Sequence, residues 1–437
     1  MGNQARQAAL EALQRCRRDG AWSAQAMDAA IKKYDLNRRD AALASRLTLG
    51  VLQNSAYLDY YLDLFCTKPP EKGLRDILRL GACQLLLTDR IPAHAAVGET
   101  VQLCRDNGYA RAAGLCNAVL RKLADVQGSL PEIPGKGTAQ YLATRYSHPL
   151  WLVERIMREH DYDFAEAFLA KNNEPAPLDI QVNTLKVSSD EYCRALDRAE
   201  IPYRTFPSLP GCLELTGGSV TALPGFEDGL FYVQDRAART AVEVASPERG
   251  MRVLDACAAP GGKSFAAAIR MENNGSILSC DVQEKKLKRI CEGAARLGIG
   301  MIETRAMDGR VFDPALEAAF DVVLCDAPCS GLGVIGKRPE IRNKSEAEIA
   351  NLPPIQAAIL DNVCRYVKPG GLLLYSTCTV LEVENRGQID AFLSRHADLA
   401  AEDFQLGDLK SSGGCYEFWP QLDSTDGFFI AKLRKIQ

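Results

Sequence analysis

From about residue 236 onward, short apolar runs alternate with stretches of helical spacing. The runs lie at 252–254, 276–280, 301–304, 321–324 and 372–375. Strands separated by helices are joined by crossovers, so this pattern predicts a doubly wound, mostly parallel sheet. Such a sheet collects the carboxyl ends of its strands along one crevice, where ligands bind. A late apolar run at 427–433 predicts one more strand at the sheet edge.

The strand ends carry the chemistry. After the first comes Asp255-Ala256-Cys257-Ala258-Ala259-Pro260-Gly261-Gly262-Lys263. After the fourth comes Asp326-Ala327-Pro328-Cys329-Ser330-Gly331, and after the fifth Ser376-Thr377-Cys378-Thr379. Pro260-Gly261-Gly262 can turn tightly and let backbone approach a ligand without a Cβ in the way. Asp281 ends the second strand, where an acid can accept from ribose hydroxyls. Asp308 follows the third strand and Asp326 ends the fourth. The plainer reading of Asp281 and Asp308 is a helix N-cap, and one residue can serve both roles. Gly262-Lys263-Ser264 looks like the end of a phosphate-binding loop, but that pattern needs glycine at 257, where Cys257 stands.

The rest of the chain reads differently. Residues 1–135 show helical periodicity throughout, as in Leu43, Leu47 and Val51 or Leu74, Ile77 and Leu78, and predict six or seven helices. A Pro/Gly-rich link at 129–137 marks a first boundary. Residues 138–235 predict a small α+β domain, with alternating residues at 178–183 and short strands near Tyr203, Leu213 and Phe231. Residues 236–437 form the doubly wound part. The net charge is −4, but residues 1–135 carry +4 and the remainder −8. A local basic surface can attract nucleic acid even when the sum is negative.

The 15 cysteines include no Cys-x-x-Cys pair and stand beside only four histidines, which argues for reduced thiols and against a structural zinc site. No apolar run is long enough to suggest a membrane span. With no signal-like apolar core near the start, a cytoplasmic location is expected.

The ordered set Asp255–Lys263, Asp326-Ala327-Pro328-Cys329-Ser330 and Ser376-Thr377-Cys378 resembles the RNA cytosine-C5 methyltransferases of the Nol1/Nop2/Sun family. The stretches Arg79-Leu80-Gly81-Ala82-Cys83-Gln84, Ile91-Pro92-Ala93-His94 and Asn117-Ala118-Val119-Leu120-Arg121 resemble the NusB-like RNA-binding module. The resemblance implies a helical NusB-like bundle, a small RRM-like α+β domain and a Rossmann-like domain that uses S-adenosyl-L-methionine (SAM). It implies 16S rRNA as the partner and a monomeric enzyme without metal. A tRNA cytosine methyltransferase of the same chemistry is the alternative. So is a non-catalytic RNA-binding assembly or antitermination factor.

Carbon 5 of cytosine is a poor nucleophile until a thiolate adds at carbon 6, so the chemistry needs a nucleophilic thiol, a group near N3 and a base. By the resemblance, Cys378 is the nucleophile and Cys329 assists product release. Asp326 addresses the cytosine edge, and Lys263 orients Asp326 or activates a thiol. The cofactor set is Cys257, Ala258, Ala259, Pro260, Gly261, Gly262, Lys263, Asp281, Asp308 and Asp326. The chain departs from the family at Gln181, Gly293 and Asn343, where arginine, asparagine and tryptophan are usual. Gly293 in a helix costs helix stability.

Overall fold

The computed structural model describes residues 2–216 and 220–436. The chain forms two compact units. One comprises Met1–Glu174 with Ile335–Glu346, the other Pro175–Val334 with Ala347–Gln437.

The first unit is helical. Its helices are α1 (Gly2–Asp19), α2 (Ser23–Lys33), α3 (Arg38–Gln53), α4 (Ser55–Asp63), α5 (Lys72–Leu86), α6 (Ala93–Asp106) and α7 (Ala113–Val126). They continue as α8 (Ala139–Tyr146), α9 (Leu150–Glu159) and α10 (Tyr162–Lys171). Helix α5 is the central element and buries Leu74, Ile77, Leu78, Leu80, Ala82 and Cys83. Gly81 lets α7 approach it closely, since a Cβ there would lie 2.6 Å from Leu120 Cδ1. Asn37, Thr138 and Asp161 cap α3, α8 and α10 by accepting backbone N–H groups.

The 138–235 segment is divided in the structure. Helices α8–α10 belong to the helical unit, where Ser147 Oγ accepts the Tyr57 N–H at 2.9 Å. Apolar residues explain why: Leu142, Leu152, Val153, Ile156 and Phe168 are all buried. The proline-rich link also packs there, with the Tyr61 hydroxyl donating to Pro131 O at 3.0 Å.

Segment 335–346 completes this unit. Its 3-10 turn Pro339–Asn343 buries the Arg342 guanidinium among acceptors. These are the carbonyls of Gln53, Tyr146, Ser147 and Asn172, and Asn173 Oδ1 at 2.6 Å. Burial pulls Arg342 down to about 9.

The second unit begins with a four-stranded antiparallel sheet in the order β2-β3-β1-β4. Its strands are β1 (Leu178–Val182), β2 (Tyr203–Thr205), β3 (Cys212–Leu215) and β4 (Phe231–Val233). Helix α11 (Ser189–Arg198) packs Tyr192 and Leu196 on this sheet and starts with a capping box between Ser188 and Glu191. Gln181 is buried there, its Nε2 donating to Gln234 O at 3.0 Å. That inward orientation makes it a packing residue.

The large sheet runs β10-β14-β9-β8-β5-β6-β7, and β13 also pairs with β14. The strands are β5 (Arg252–Asp255), β6 (Ser276–Asp281), β7 (Ile302–Ala306), β8 (Phe320–Asp326) and β9 (Val367–Thr377). Then come β10 (Leu399–Ala401), a small hairpin of β11 (Gln405–Leu406) and β12 (Leu409–Lys410), β13 (Cys415–Phe418) and β14 (Phe428–Lys435). Strands β5 to β9 are parallel, and β14 is antiparallel to β9. The late strand therefore lies one place in from the edge, covered by β10 rather than ending the sheet.

Both faces are buried, which is why the strands read as continuous apolar runs. Val253, Val322, Leu324, Leu372 and Leu374 pack against α12 (Arg236–Ala245), α13 (Gly262–Arg270) and α14 (Glu284–Leu297). Leu254, Val323, Cys325, Leu373 and Tyr375 face the other way. There they meet α16 (Leu352–Val363) and α17 (Arg386–Leu393), which follow the short α15 (Glu346–Ile349). The chain builds β5, β6 and β7 outward on one side, then returns to place β8 and β9 on the other. The topological switch point thus lies between β5 and β8, above their carboxyl ends.

Candidate active site

Strand β5 ends at Asp255, and the chain turns into α13. The Ala256 N–H bonds Leu324 O at 2.9 Å, and the Ala258 N–H bonds Cys280 O at 2.7 Å, so the turn is fastened to both neighbouring strands. Ala259–Pro260 is a cis peptide bond. Gly261 has φ of +111°, a left-handed value that favours glycine. Its missing Cβ also makes room for Phe265, whose Cζ would lie 2.6 Å away. Gly293 on α14 presses on the same ring, 2.5 Å from where its Cβ would be. Glycine at 293 therefore accommodates Phe265.

No side chain caps α13, which begins at Gly262. Gln234 stands beside it: its Nε2 would lie 3.4 Å from a Gly262 Cβ and is buried with no hydrogen-bond partner. Its Oε1 accepts the Tyr232 hydroxyl at 3.2 Å. Asp255 is 0% exposed. Its Oδ2 accepts Ser264 Oγ at 2.7 Å, and its Oδ1 has no partner. Burial pushes this carboxyl up to about 6.

Asp281 closes β6 and is buried, with Oδ1 accepting the Gln283 N–H at 2.8 Å. Asp308 is engaged differently. Arg310 Nη2 donates to its Oδ2 at 2.6 Å, and the Arg310 N–H donates to its Oδ1 at 3.0 Å. These bonds hold Asp308 below the usual carboxylate range. Cys257 sits against the sheet core, where burial pushes its thiol well up. Ala258 is buried, whereas Pro260 is exposed at the turn.

The residues expected to react meet at the ends of β8 and β9. Asp326 pairs in register with Ser376, whose Oγ donates to Asp326 Oδ1 at 2.8 Å. Lys263 Nζ reaches Asp326 Oδ2 at 2.8 Å and lies 5.1 Å from the Phe428 ring centroid. Three residues after Asp326 and two after Ser376, the sulfurs of Cys329 and Cys378 are 3.3 Å apart. The Cys378 N–H points at the Cys329 sulfur, also at 3.3 Å. The Cys329 thiol is held well above its ordinary range, first by its hydrogen bond with Cys378 and then by burial. The Cys378, Glu384 and Asp326 charges add to this.

Backbone packing fixes the Cys378 loop. The Gly333 N–H donates to Cys378 O at 3.0 Å, and the Gly427 N–H donates to Gly333 O at 2.8 Å. A Cβ on Gly333 would fall 1.9 Å from Gly427 O.

All fifteen cysteines are free thiols. Among the described residues no three His, Cys, Asp or Glu side chains gather where a metal could bind. Nor is any helix long and apolar enough to cross a membrane.

A doubly wound sheet with an uncapped glycine turn, an acid at the second strand end and a pair of thiols near the switch point has the form of a Rossmann-like ligand-binding domain, and the family matches make it a methyltransferase domain. Residues 242–434 match the family described as 16S rRNA methyltransferase RsmB/F. Residues 3–125 match the NusB family, and residues 148–221 the ferredoxin-like domain of RsmF/B-like methyltransferases. The ribosomal RNA small subunit methyltransferase B of Erwinia tasmaniensis is 36% identical over 91% of this chain and 91% of its own. The probable ribosomal RNA small subunit methyltransferase B of Bacillus subtilis is 33% identical over 98% of each chain. Among solved structures, that of PH0851 has a TM-score of 0.85 at 28% identity, covering 100% of this chain and 99% of its own. A methyltransferase homologue from Pyrococcus horikoshii has a TM-score of 0.60 at 27% identity, covering 68% and 99%. The chain belongs to the ribosomal RNA small subunit methyltransferase B family and is a SAM-dependent RNA methyltransferase.

The site fits that cofactor. The uncapped N–H groups of α13 and the unpartnered Gln234 amide suit the carboxylate of its methionine part. Oδ2 of Asp281 has no partner among the described residues and suits ribose hydroxyls.

Gln234 and Glu384 were not singled out from the sequence, and Ser376 was quoted only within the Ser376-Thr377-Cys378 run, with no role of its own. None lies in a glycine-rich or acid-ended motif, and only Ser376, two residues before Cys378, carried a local hint.

Proposed function

We propose that this chain methylates carbon 5 of a cytosine in 16S rRNA through a covalent bond between Cys378 and carbon 6. The observation that carries the reading is the pair of sulfurs 3.3 Å apart, beside a carboxylate held by Lys263 and Ser376. The names of the relatives supply the RNA class, and the NusB-family match supplies a module for engaging it.

The residues divide the work. Cys378 adds to carbon 6 as its thiolate. The electron pair displaced by this addition reaches N3, which takes up a proton from solvent, and Asp326, fixed at both oxygens, accepts from the amino group and from that N3–H. Bound SAM would supply the methyl group to carbon 5 and leave as S-adenosyl-L-homocysteine. A base then takes the carbon 5 proton, and the electrons of that bond restore the ring double bond and expel Cys378 as thiolate. Cys329, within reach of the Cys378 sulfur, serves this release. Asp281 and the turn at Pro260, Gly261 and Gly262 hold the cofactor, with Asp308 near its adenine. A base within a duplex would have to be flipped out, so an unstacked cytosine is the easier target.

The test is methylation of 16S rRNA by the full chain with labelled SAM, followed by nucleoside analysis. 5-Methylcytidine is expected. Label in a ribose methyl group or on another base would overturn the reading, and label in tRNA alone would move the substrate.

A further inference from the structure

Behind the two cysteines lies a buried polar cluster centred on one carboxylate. Glu384 is 1% exposed and ends the 3-10 turn Glu382–Glu384, between β9 and α17. Its Oε2 accepts the Ser330 N–H at 2.9 Å and Gln356 Nε2 at 2.8 Å. Its Oε1 accepts the Thr379 hydroxyl at 3.4 Å. Ser330 directly follows Cys329, and Thr379 directly follows Cys378. Their hydroxyl oxygens are 2.6 Å apart.

The support extends outward. Gln356 Nε2 also donates to Pro328 O at 3.0 Å, just before Cys329. Gln388 Nε2 bonds Gln356 Oε1 at 3.3 Å, and the Tyr375 hydroxyl donates to Glu384 O at 2.7 Å. Each of these partners of the Glu384 carboxylate can donate, which suits its ionised, acceptor-only form. Burying such a charge is costly unless hydrogen bonds replace water. Apolar packing would close a strand end without that cost, so the charge calls for a functional reason.

We propose that Glu384 is a positioning residue for the two thiols, one carboxylate holding the residue after each cysteine and so setting the 3.3 Å separation of the sulfurs. The inference rests on the covalent reading given above. The same carboxylate acts on Cys329 through space. Cys378, Glu384 and Asp326 face that thiol, and all three charges favour its protonated form. Glu384 thereby favours the protonated form of Cys329.

Two measurements on the full chain test this. The first is turnover by Glu384→Gln. Adduct formation and kcat should fall by about 100-fold, the cost of a misplaced reacting group, while KM for RNA and SAM affinity stay unchanged. The second needs no RNA: iodoacetamide labelling of Cys329 against pH, read by peptide mass spectrometry in a Cys378→Ala background. Glu384→Gln should lower the midpoint by about one pH unit by removing a like charge. Glu384→Asp should restore the midpoint but not the rate, because it keeps the charge and shortens the reach. Should Glu384→Gln fail to fold, Thr379→Val cuts one support, with the same slowed adduct formation expected.

An unchanged rate and midpoint in Glu384→Gln would overturn the proposal. So would equal rate losses in the Gln and Asp variants with no shift in midpoint, the mark of packing alone. If the parent makes no 5-methylcytidine, the covalent reading fails, and the labelling midpoint still decides whether Glu384 governs Cys329.

Discussion

Asp326 and Ser376 stand side by side on adjacent parallel strands, and this one register pairing sets where the two thiols fall. The Ser376 hydroxyl ties the strand ends together at Asp326. Beyond that knot the two chains run on by three and two residues and bring their sulfurs into contact. A slip by one residue would turn every side chain of the strand to the opposite face and part the thiols.

The two thiols should fail differently. Cys378→Ala should abolish methylation and form no protein–RNA adduct. Cys329→Ala should still attack and transfer the methyl group, then accumulate an adduct that survives denaturation. A denaturing gel with labelled RNA and SAM reads both. The opposite pattern would reverse the roles.

The acids of the cofactor site should contribute unequally. Asp281 offers an oxygen from a buried strand end, whereas Asp308 is already gripped by Arg310. Asp281→Ala should weaken SAM binding by about tenfold or more, the worth of hydrogen bonds to a charged acceptor. Asp308→Ala should weaken it less. Calorimetric titration decides, and equal losses would make Asp308 a full ligand despite its ion pair.

Gly293→Ala should destabilise the protein. In most helices this change helps by about 1 kcal/mol. Here the new methyl group would press on the Phe265 ring, already confined by Gly261, at a cost of about 1–3 kcal/mol. Pairing it with Phe265→Leu should recover part of the loss. A higher denaturation midpoint for Gly293→Ala alone would contradict the packing argument.

Asp255 gives a pH signature. Burial raises its folded value to about 6, against partial relief from Ser264 and Lys263. Between about pH 4 and pH 6 the folded state binds more protons than the unfolded one, so stability falls as pH rises. The penalty is complete above pH 6 and absent below about pH 4. Asp255→Asn should therefore gain stability relative to the parent at pH 7.5, by up to about 3 kcal/mol, and almost nothing near pH 4. Urea denaturation at both values measures it, and a pH-independent difference would refute the assignment.

Much of this molecule is legible from residue order because its signals are local or periodic. Val322-Val323-Leu324-Cys325 alternates between two buried faces and so reads as one apolar run. Gly261 and Gly262 announce a turn. The Asp308–Arg310 pair is local too, two residues apart, yet the reading of Asp308 as a cofactor contact or helix N-cap passed over it. Glu384 was not: its partners lie 54, 28 and 5 residues away, and only packing of β8, β9 and α16 brings them together. The 129–137 link holds packing that its composition does not announce. Proline and glycine break helices, yet Leu130 and Ile133 still pack on the helical core.

Arg342 carries a consequence for anyone cutting this chain. The chain passes between the two units three times, at 174/175, 334/335 and 346/347. A gene fragment ending at residue 174 would encode ten helices and omit the cation that joins Gln53, Tyr146, Ser147 and Asn172. A fragment starting at 175 would keep that cation and expose it. Neither half can be cloned whole as one uninterrupted reading frame, so insertions, fusions and shuffled modules are better placed outside 335–346 than at the apparent seam.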